Sequence, residues 1–233
     1  MLIIIAVITM LVSWLVSKRL KSKFQEYSQI GLRSGISGAE AASSMLKDNN
    51  IFDVKILSVE GQLSDHYNPA DKTVNLSHDV YYGRSVSSVA VASHECGHAV
   101  QHAKAYAMLQ LRSALVPIVN VSSTVLSYLN MALLFGAGAI FYGTGAVSET
   151  LLLIIIAANL GLAAFSLITL PVEFDASNRA LAWMTTKGVV TSQEHSMAQD
   201  ALFWAAMTYV VAAIGSLAQL LYWVMIFMGR RDD

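Results

Sequence analysis

Long apolar runs without a charged residue alternate with polar segments along the chain. They cover residues 1–17, 113–148, 150–172 and 201–229. Because a helix rises about 1.5 Å per residue, each run can cross a hydrocarbon core of about 30 Å, the first being near the lower limit. The pattern therefore predicts four transmembrane helices, with the second confined to 113–141.

The polar residues between these runs form two pieces, 18–112 and 173–200. In the first piece, the Ser/Gly start and Asn-rich end of 37–50 predict a short helix. Alternating apolar and polar residues over 53–61 predict a strand, and 62–77 predicts two strands around a Pro-Ala-Asp-Lys turn. We therefore expect a mainly α integral membrane protein with a small α/β domain.

Composition supports membrane insertion, since 55% of the 233 residues are hydrophobic and only 13% are charged. Soluble domains carry about 25% charged residues. The net charge of −1 favours no nucleic-acid partner. Cys96 is the only cysteine, so no intramolecular disulfide can form.

The distribution of Lys and Arg predicts the orientation in the membrane. Of the 15 basic residues, 13 lie in the two polar pieces, and only Arg230 and Arg231 lie elsewhere. Lys and Arg accumulate on the cytoplasmic side of membrane proteins, most strongly near the ends of spans. Both polar pieces are therefore expected to be cytoplasmic.

The apolar stretch SVAVASHECGHAV carries the candidate chemistry, within a helix predicted from about Ser85 to Arg112. Residues four apart on a helix are about 40° apart, so His94 and His98 share a face and can bind one metal ion. Glu95 lies beside that face and can accept a proton from a water on the metal. This spacing predicts a zinc site.

An open zinc site needs a third protein ligand. Glu173 is the preferred candidate and Asp175 the alternative, because both follow the third apolar run, where Pro171 can begin a new helix. His102 lies a further turn beyond His98 and is expected to have a supporting or surface role. Cys96 points to another side and is expected to pack.

The stretches SHECGHAVQ, LSDHYNPADKTVNLS and LPVEFDASNRAL resemble the YugP-type neutral zinc metallopeptidases of bacterial membranes. More remotely, the layout is similar to membrane gluzincins such as the CAAX-type prenyl proteases. The resemblance implies one Zn²⁺ per chain, held by His94, His98 and Glu173, with Glu95 as the catalytic base. Those gluzincins have Asp four residues after the ligand glutamate, where this chain has Ser177, so Asp175 is expected to orient a ligand imidazole instead.

The resemblance also suggests a strand beside the cleft, to which an extended substrate could add. The segment containing Asp65, His66 and Tyr67 is the expected position, and His66 or Tyr67 could stabilise an oxyanion. A polar turn before Pro69 is the alternative. Arg179 either holds a carboxylate or is a charge next to the membrane.

The combined expectation is a membrane-embedded zinc metalloendopeptidase, gluzincin-like, that hydrolyses peptide bonds with a zinc-activated water at the cytoplasmic membrane surface of a bacterial cell. Its expected partners are the lipid bilayer and peptide or membrane-protein substrates. A non-catalytic membrane adaptor with a structural or vestigial zinc site is the alternative. Small residues in FGAGA (135–139) and AANLGLAA (157–164) permit close helix packing, a homo-oligomer or a membrane-protein partner.

Overall fold

A computed structural model describes residues 1–132 and 149–229. Three sequence features lie at least partly outside these residues: the end of the predicted second span, the FGAGA stretch, and the tail with Arg230 and Arg231. The described residues form seven helices and three strands: α1 (Leu2–Ser28), α2 (Gly38–Asp48), β1 (Lys55–Val59), β2 (His66–Asn68), β3 (Thr73–Ser77), α3 (His78–Tyr81), α4 (Val86–Ala103), α5 (Ala107–Ala132), α6 (Glu149–Thr186) and α7 (Ser192–Gly229).

Four of the described helices, α1, α5, α6 and α7, are long and apolar enough to cross a membrane. The mainly helical class, the four candidate spans and the small sheet are therefore confirmed. The first, third and fourth of these helices continue well beyond the uncharged runs, so each also carries polar residues of the α/β part.

The predicted helix start at Pro171 is wrong, because α6 runs without interruption from Glu149 to Thr186 with Pro171 inside it. A proline removes one backbone hydrogen bond, and a long helix tolerates that loss when its other turns stay bonded. Pro117 lies inside α5 in the same way. The continuous helix places Glu173 and Ser177 one turn apart on a common face.

The predicted continuous helix from Ser85 to Arg112 is also wrong, since α4 ends at Ala103 and α5 begins at Ala107. Ala105 adopts a left-handed φ of 51°. Tyr106 N donates to Gln101 O and Ala105 N to His102 O, at 2.9 and 3.1 Å. These two bonds form a Schellman motif, which normally has glycine at the left-handed position. Because alanine favours helix, Ala105 gives no sign in the sequence that the helix ends here.

The sheet has the order β1-β3-β2, with β1 parallel and β2 antiparallel to the central strand. All five residues of β3 are buried. The short helix α2 begins with a capping box, in which Glu40 N donates to Ser37 Oγ and Ser37 N donates to Glu40 Oε2. The predicted helix over 37–50 and the strand pattern over 53–77 are therefore confirmed.

The chain divides into two compact units. The first contains the described residues of Met1–Ser13, Leu111–Thr169 and Tyr209–Asp233. Within it a Cβ on Gly161 would lie 2.9 Å from Ser122 Oγ, so glycine allows close packing inside the AANLGLAA stretch.

The second unit contains Trp14–Gln110 and Leu170–Thr208, and it holds every residue of the predicted site. Its core is built from apolar side chains of α2, α4, β3 and the second half of α6, among them Ala42, Met45, Val74, Val89 and Met184.

Candidate metal centre

Three side chains of the second unit converge on one point. His94 Nε2 lies 3.3 Å from Glu173 Oε2, and His98 Nε2 lies 3.6 Å from the same oxygen. The ligand atoms of His94, His98 and Glu173 all lie within 4.8 Å of one another. Among the described residues, this is the group of His, Cys, Asp and Glu side chains that could hold a metal ion.

A glycine inside the histidine motif permits this convergence. A Cβ on Gly97 would lie 2.5 Å from the backbone oxygen of Ala176, closer than real Cβ contacts allow. Gly97 therefore lets the backbones of α4 and α6 approach closely between the two histidines. Ala176 and Ala180 on α6 are completely buried, which keeps the same helix face small.

Each histidine uses its other ring nitrogen for a hydrogen bond within the protein. His94 Nδ1 lies 3.1 Å from Ser177 Oγ, and His98 Nδ1 lies 3.0 Å from Gln101 Oε1. Both bonds leave Nε2 directed at the point of convergence. Ligand imidazoles in metalloproteins are oriented in this way by their neighbours.

Asp175 lies apart from the three converging groups. Its Oδ2 accepts hydrogen bonds from Gln101 Nε2 at 2.8 Å and from Arg179 Nε at 2.5 Å. Of the two candidate third ligands, the structure thus brings Glu173, and not Asp175, to the imidazoles. Asp175 reaches His98 through Gln101, and Ser177 makes the direct contact to an imidazole that we expected of Asp175. The guanidinium of Arg179 is engaged by Asp175 and lies 5.9 Å from the Tyr106 ring centre.

Glu95 is buried on α4 beside the converging groups but outside them. Its Oε2 accepts a hydrogen bond from the backbone N–H of Tyr67 at 3.0 Å. This bond ties the carboxylate to strand β2, which lies at the edge of the sheet. Glu95 is therefore held in place without being a member of the candidate ligand set.

A second carboxyl group, that of Asp65, lies close to Glu95. Burial raises the pKa of Asp65, and the charge of Glu95 raises it further, while hydrogen bonds from Ser77 N and Oγ oppose the shift. Asp65 thus connects the start of β2 to the end of β3.

The expected oxyanion groups are both occupied within the protein. His66 is exposed, with Nδ1 2.8 Å from Ser64 O and Nε2 3.3 Å from Asn75 Nδ2. The hydroxyl of Tyr67 lies 2.7 Å from His102 Nδ1. His102 is exposed and held by Tyr67, consistent with a surface role. Cys96 is completely buried, and its Sγ donates to Ala42 O at 3.6 Å.

Electrostatics couple the two helices at this point. Burial alone would lower the pKa of His98, but hydrogen bonding to the Glu173 carboxylate, together with the charges of Glu95 and Glu173, raises it. A buried negative charge thus faces two imidazoles, and a bound cation would satisfy all three groups. Two imidazole nitrogens and one carboxylate oxygen are also a ligand set that catalytic zinc sites use. The residues present therefore fit Zn²⁺.

Sequence reasoning named His94, Glu95, His98 and Glu173 but missed two supporting residues. It noted Ser177 only as a position lacking the expected acid, and it did not consider Gln101. A signal for Gln101 was available, because a residue three positions after His98 lies on a neighbouring helix face and is long enough to reach the ring.

Comparison with known proteins also points to zinc. A family model described as "Putative neutral zinc metallopeptidase" matches residues 2–228. The chain belongs to this family. It is 42% identical, over 215 residues, to a protein of Bacillus subtilis (strain 168) named "Putative membrane protease YugP", covering 92% of this chain and 91% of the relative. No solved structure matches the chain. Membership of the family confirms the resemblance described above.

Proposed function

We propose that this protein is a multi-pass zinc endopeptidase that hydrolyses peptide bonds at the cytoplasmic face of a bacterial cell membrane. The convergence of His94 Nε2, His98 Nε2 and Glu173 Oε2 on one buried point carries the proposal. Three protein ligands leave one position of a tetrahedral zinc ion for water or substrate, the arrangement of catalytic rather than structural zinc. The family described above supports the choice of metal and reaction.

In this proposal His94, His98 and Glu173 hold one Zn²⁺ per chain. When bound there, the ion would acidify a water molecule and polarise the carbonyl of the scissile bond. Glu95 takes the proton of the attacking water and later passes it to the departing amine. The bond from Tyr67 N keeps the carboxylate of Glu95 oriented for both transfers.

In this proposal an extended substrate binds on the side of the site formed by strand β2. Strand β2 pairs with β3 along one edge only, so its other edge can accept a peptide by strand addition. Because Tyr67 N on that edge donates to Glu95, the peptide would pair there through the carbonyl oxygen of Tyr67. A peptide or an exposed segment of a membrane protein fits an edge strand of this kind.

Two features support the proposed place in the cell. Four described helices are apolar enough to cross a membrane. The two polar pieces that contain the site, 18–112 and 173–200, carry most of the Lys and Arg residues, among them Lys21, Lys23 and Arg179. Such an excess of basic residues is typical of cytoplasmic segments.

The test is Glu95→Gln, which keeps the size of the side chain but cannot accept the proton. We expect the variant to bind zinc as the wild type does, while its cleavage of a quenched fluorescent peptide library falls by about 10²–10⁴-fold. Purified protein in detergent micelles would be assayed for zinc content and for products by mass spectrometry.

Glu60→Gln is the matched control, because Glu60 is exposed and does not belong to the candidate ligand set. It should cleave at the wild-type rate. Equal cleavage by the wild type and Glu95→Gln would contradict the assigned role of Glu95. Zinc binding without any cleavage by the wild type would instead favour the adaptor.

A further inference from the structure

Gln101 is completely buried and makes three hydrogen bonds around the candidate metal centre. Its Oε1 lies 3.0 Å from His98 Nδ1. Its Nε2 donates to the backbone oxygen of Val172 at 2.7 Å and to Asp175 Oδ2 at 2.8 Å. One amide thus connects a candidate metal ligand on α4 to the backbone and a carboxylate of α6.

The chemistry of these partners dictates which way the amide points. A backbone carbonyl oxygen can only accept a hydrogen bond, and an ionised carboxylate likewise only accepts. The amide group that faces Val172 O and Asp175 must therefore be the NH₂ group. The amide oxygen of Gln101 is left facing His98, and the opposite orientation would lose both donated bonds and set oxygen against oxygen.

That orientation in turn determines where the neutral His98 ring carries its proton. An amide oxygen cannot donate, so His98 Nδ1 must carry the hydrogen for the 3.0 Å bond to form. The competing partner of the ring is Glu173 Oε2, 3.6 Å from His98 Nε2, so the shorter 3.0 Å bond to Gln101 favours Nδ1–H and leaves Nε2 with its lone pair at the convergence point. Metal ions bind imidazole through a nitrogen without a proton.

An ion pair holds the far end of this chain of hydrogen bonds. Arg179 Nε and one terminal nitrogen of its guanidinium lie 2.5 and 3.3 Å from the two oxygens of Asp175. A guanidinium has only donors, so both oxygens of Asp175 accept from Arg179, and Asp175 Oδ2 also accepts from Gln101. The direction of every bond from Arg179 to His98 is thereby set.

His94 lacks such a constraint. Its Nδ1 faces Ser177 Oγ at 3.1 Å, and a hydroxyl can either donate or accept. Ser177 therefore places the His94 ring without dictating its tautomer. The two histidines differ in this one respect, which makes His94 an internal reference for His98.

We propose that Gln101 is a positioning residue that holds His98 as the Nδ1–H tautomer, and that the two acceptors Val172 O and Asp175 Oδ2 set the direction of its amide. A histidine side chain free in water prefers the Nε2–H tautomer, in which the nitrogen that faces the metal site carries the proton. With Gln101 in place, His98 would need no change of tautomer before its Nε2 binds a metal ion. The purpose of this arrangement rests on the proposed function, whereas the tautomer itself is a property of the metal-free protein.

The tautomer can be read directly from two-bond ¹⁵N–¹H correlations of the metal-free, full-length protein in micelles, labelled at its histidines. The spectra are recorded at about pH 9, well above the ordinary imidazole pKa of about 6.5. Loss of a signal in His98→Asn identifies His98. We expect wild-type His98 to be Nδ1–H. In Gln101→Met, which has no acceptor of matching strength, His98 should become mainly Nε2–H while the His94 signal stays unchanged.

Two further variants separate the direction of the amide from general packing. Asp175→Asn keeps an acceptor oxygen for Gln101 and Arg179, so His98 should stay Nδ1–H. Gln101→Glu keeps an acceptor for His98 and should restore the Nδ1–H form that Gln101→Met loses. Ser177→Ala is the matched control, since it removes the partner of His94 and should leave the His98 signal unchanged.

Zinc affinity gives the second readout. Gln101→Met should raise the zinc dissociation constant by about 10–100-fold, the usual effect of removing a residue that orients a ligand. Wild-type His98 in the Nε2–H form would overturn the proposal, and this result needs no variant to fold. Persistence of the Nδ1–H form in Gln101→Met would also overturn it. Absence of zinc binding by the wild type would instead contradict the proposed function and leave the tautomer result valid.

Discussion

The helix-lined side of the candidate metal centre and the strand-lined side differ in how their polar groups are held. On the helix side, Glu173 and Gln101 are buried, and their partners lie on facing positions of α4 and α6. On the strand side, His66 is exposed, and Tyr67 is only partly buried. In the proposed function, the buried helix side would hold the cation, and the more exposed strand side would receive the substrate.

The largest expected effect is the loss of the metal in Glu173→Gln. An amide in place of the carboxylate removes the only negative charge among the three candidate ligands. We expect the zinc dissociation constant to rise by more than about 100-fold, beyond the effect of losing an orienting residue. Competition with a chromophoric chelator measures it.

Asp175→Asn is the comparison variant for Glu173→Gln, since its side chain lies on the same helix but contacts Gln101 and Arg179. It should weaken zinc binding far less. A larger loss of zinc affinity in Asp175→Asn than in Glu173→Gln would show that Asp175, the alternative ligand, binds the metal. It would contradict the description of the helix side given above.

Acidification should weaken zinc binding in a pH range set by the pKa of His98, a candidate ligand on the helix side. Glu173 and Glu95 raise the pKa of His98 despite its burial, so the metal-free ring gains its proton at a higher pH than an ordinary imidazole. A protonated imidazole cannot bind zinc. The zinc affinity should therefore already fall as the pH drops through the ordinary imidazole pKa of about 6.5.

Isothermal titration of zinc between about pH 8 and about pH 5 follows this loss, with a growing uptake of protons by the metal-free site. Zinc affinity that stayed constant over this whole range, which includes the ordinary imidazole pKa of about 6.5, would contradict protonation of the histidine ligands.

The smallest expected effect comes from Tyr67→Phe on the strand side. The backbone N–H of Tyr67 still bonds Glu95 in this variant, and only the hydroxyl contact to His102 is lost. We expect unchanged zinc affinity and a loss of about 0.5–1.5 kcal/mol in stability, the usual worth of one hydrogen bond. Competition with a chromophoric chelator measures the zinc affinity, and thermal unfolding measures the stability.

The same variant tests the alternative role of Tyr67. If its hydroxyl leaves His102 and stabilises an oxyanion, kcat should drop by about 10²–10³-fold in Tyr67→Phe. A drop of that size would show that the Tyr67 hydroxyl takes part in catalysis and does not only hold His102 on the strand side.

The elements with strong local signals were predictable. The Ser37–Glu40 capping box marks its helix, and the spacing of His94, Glu95 and His98 places all three on one helical turn. The apolar runs indicate their spans because a bilayer requires helices of about that length. In each case the information lies within a few neighbouring residues.

The failures arose where contacts between distant segments decide the structure. Ala105 in a left-handed conformation breaks a helix that its sequence would continue, and Pro171 stays inside a helix that its sequence would end. The pairing of Ser177 with His94 and of Gln101 with Asp175 depends on how α4 and α6 face each other. Gly97 permits that approach, but no local pattern shows which backbone it contacts.

Anomalous diffraction at the zinc edge, on crystals of the purified protein, tests the central claim most directly. The account predicts one zinc peak within about 2.0–2.2 Å of His94 Nε2, His98 Nε2 and a Glu173 oxygen, with Glu95 outside the coordination shell. A peak elsewhere in the chain would contradict it. So would a zinc ion closed by Cys96 or His102 as a fourth protein ligand.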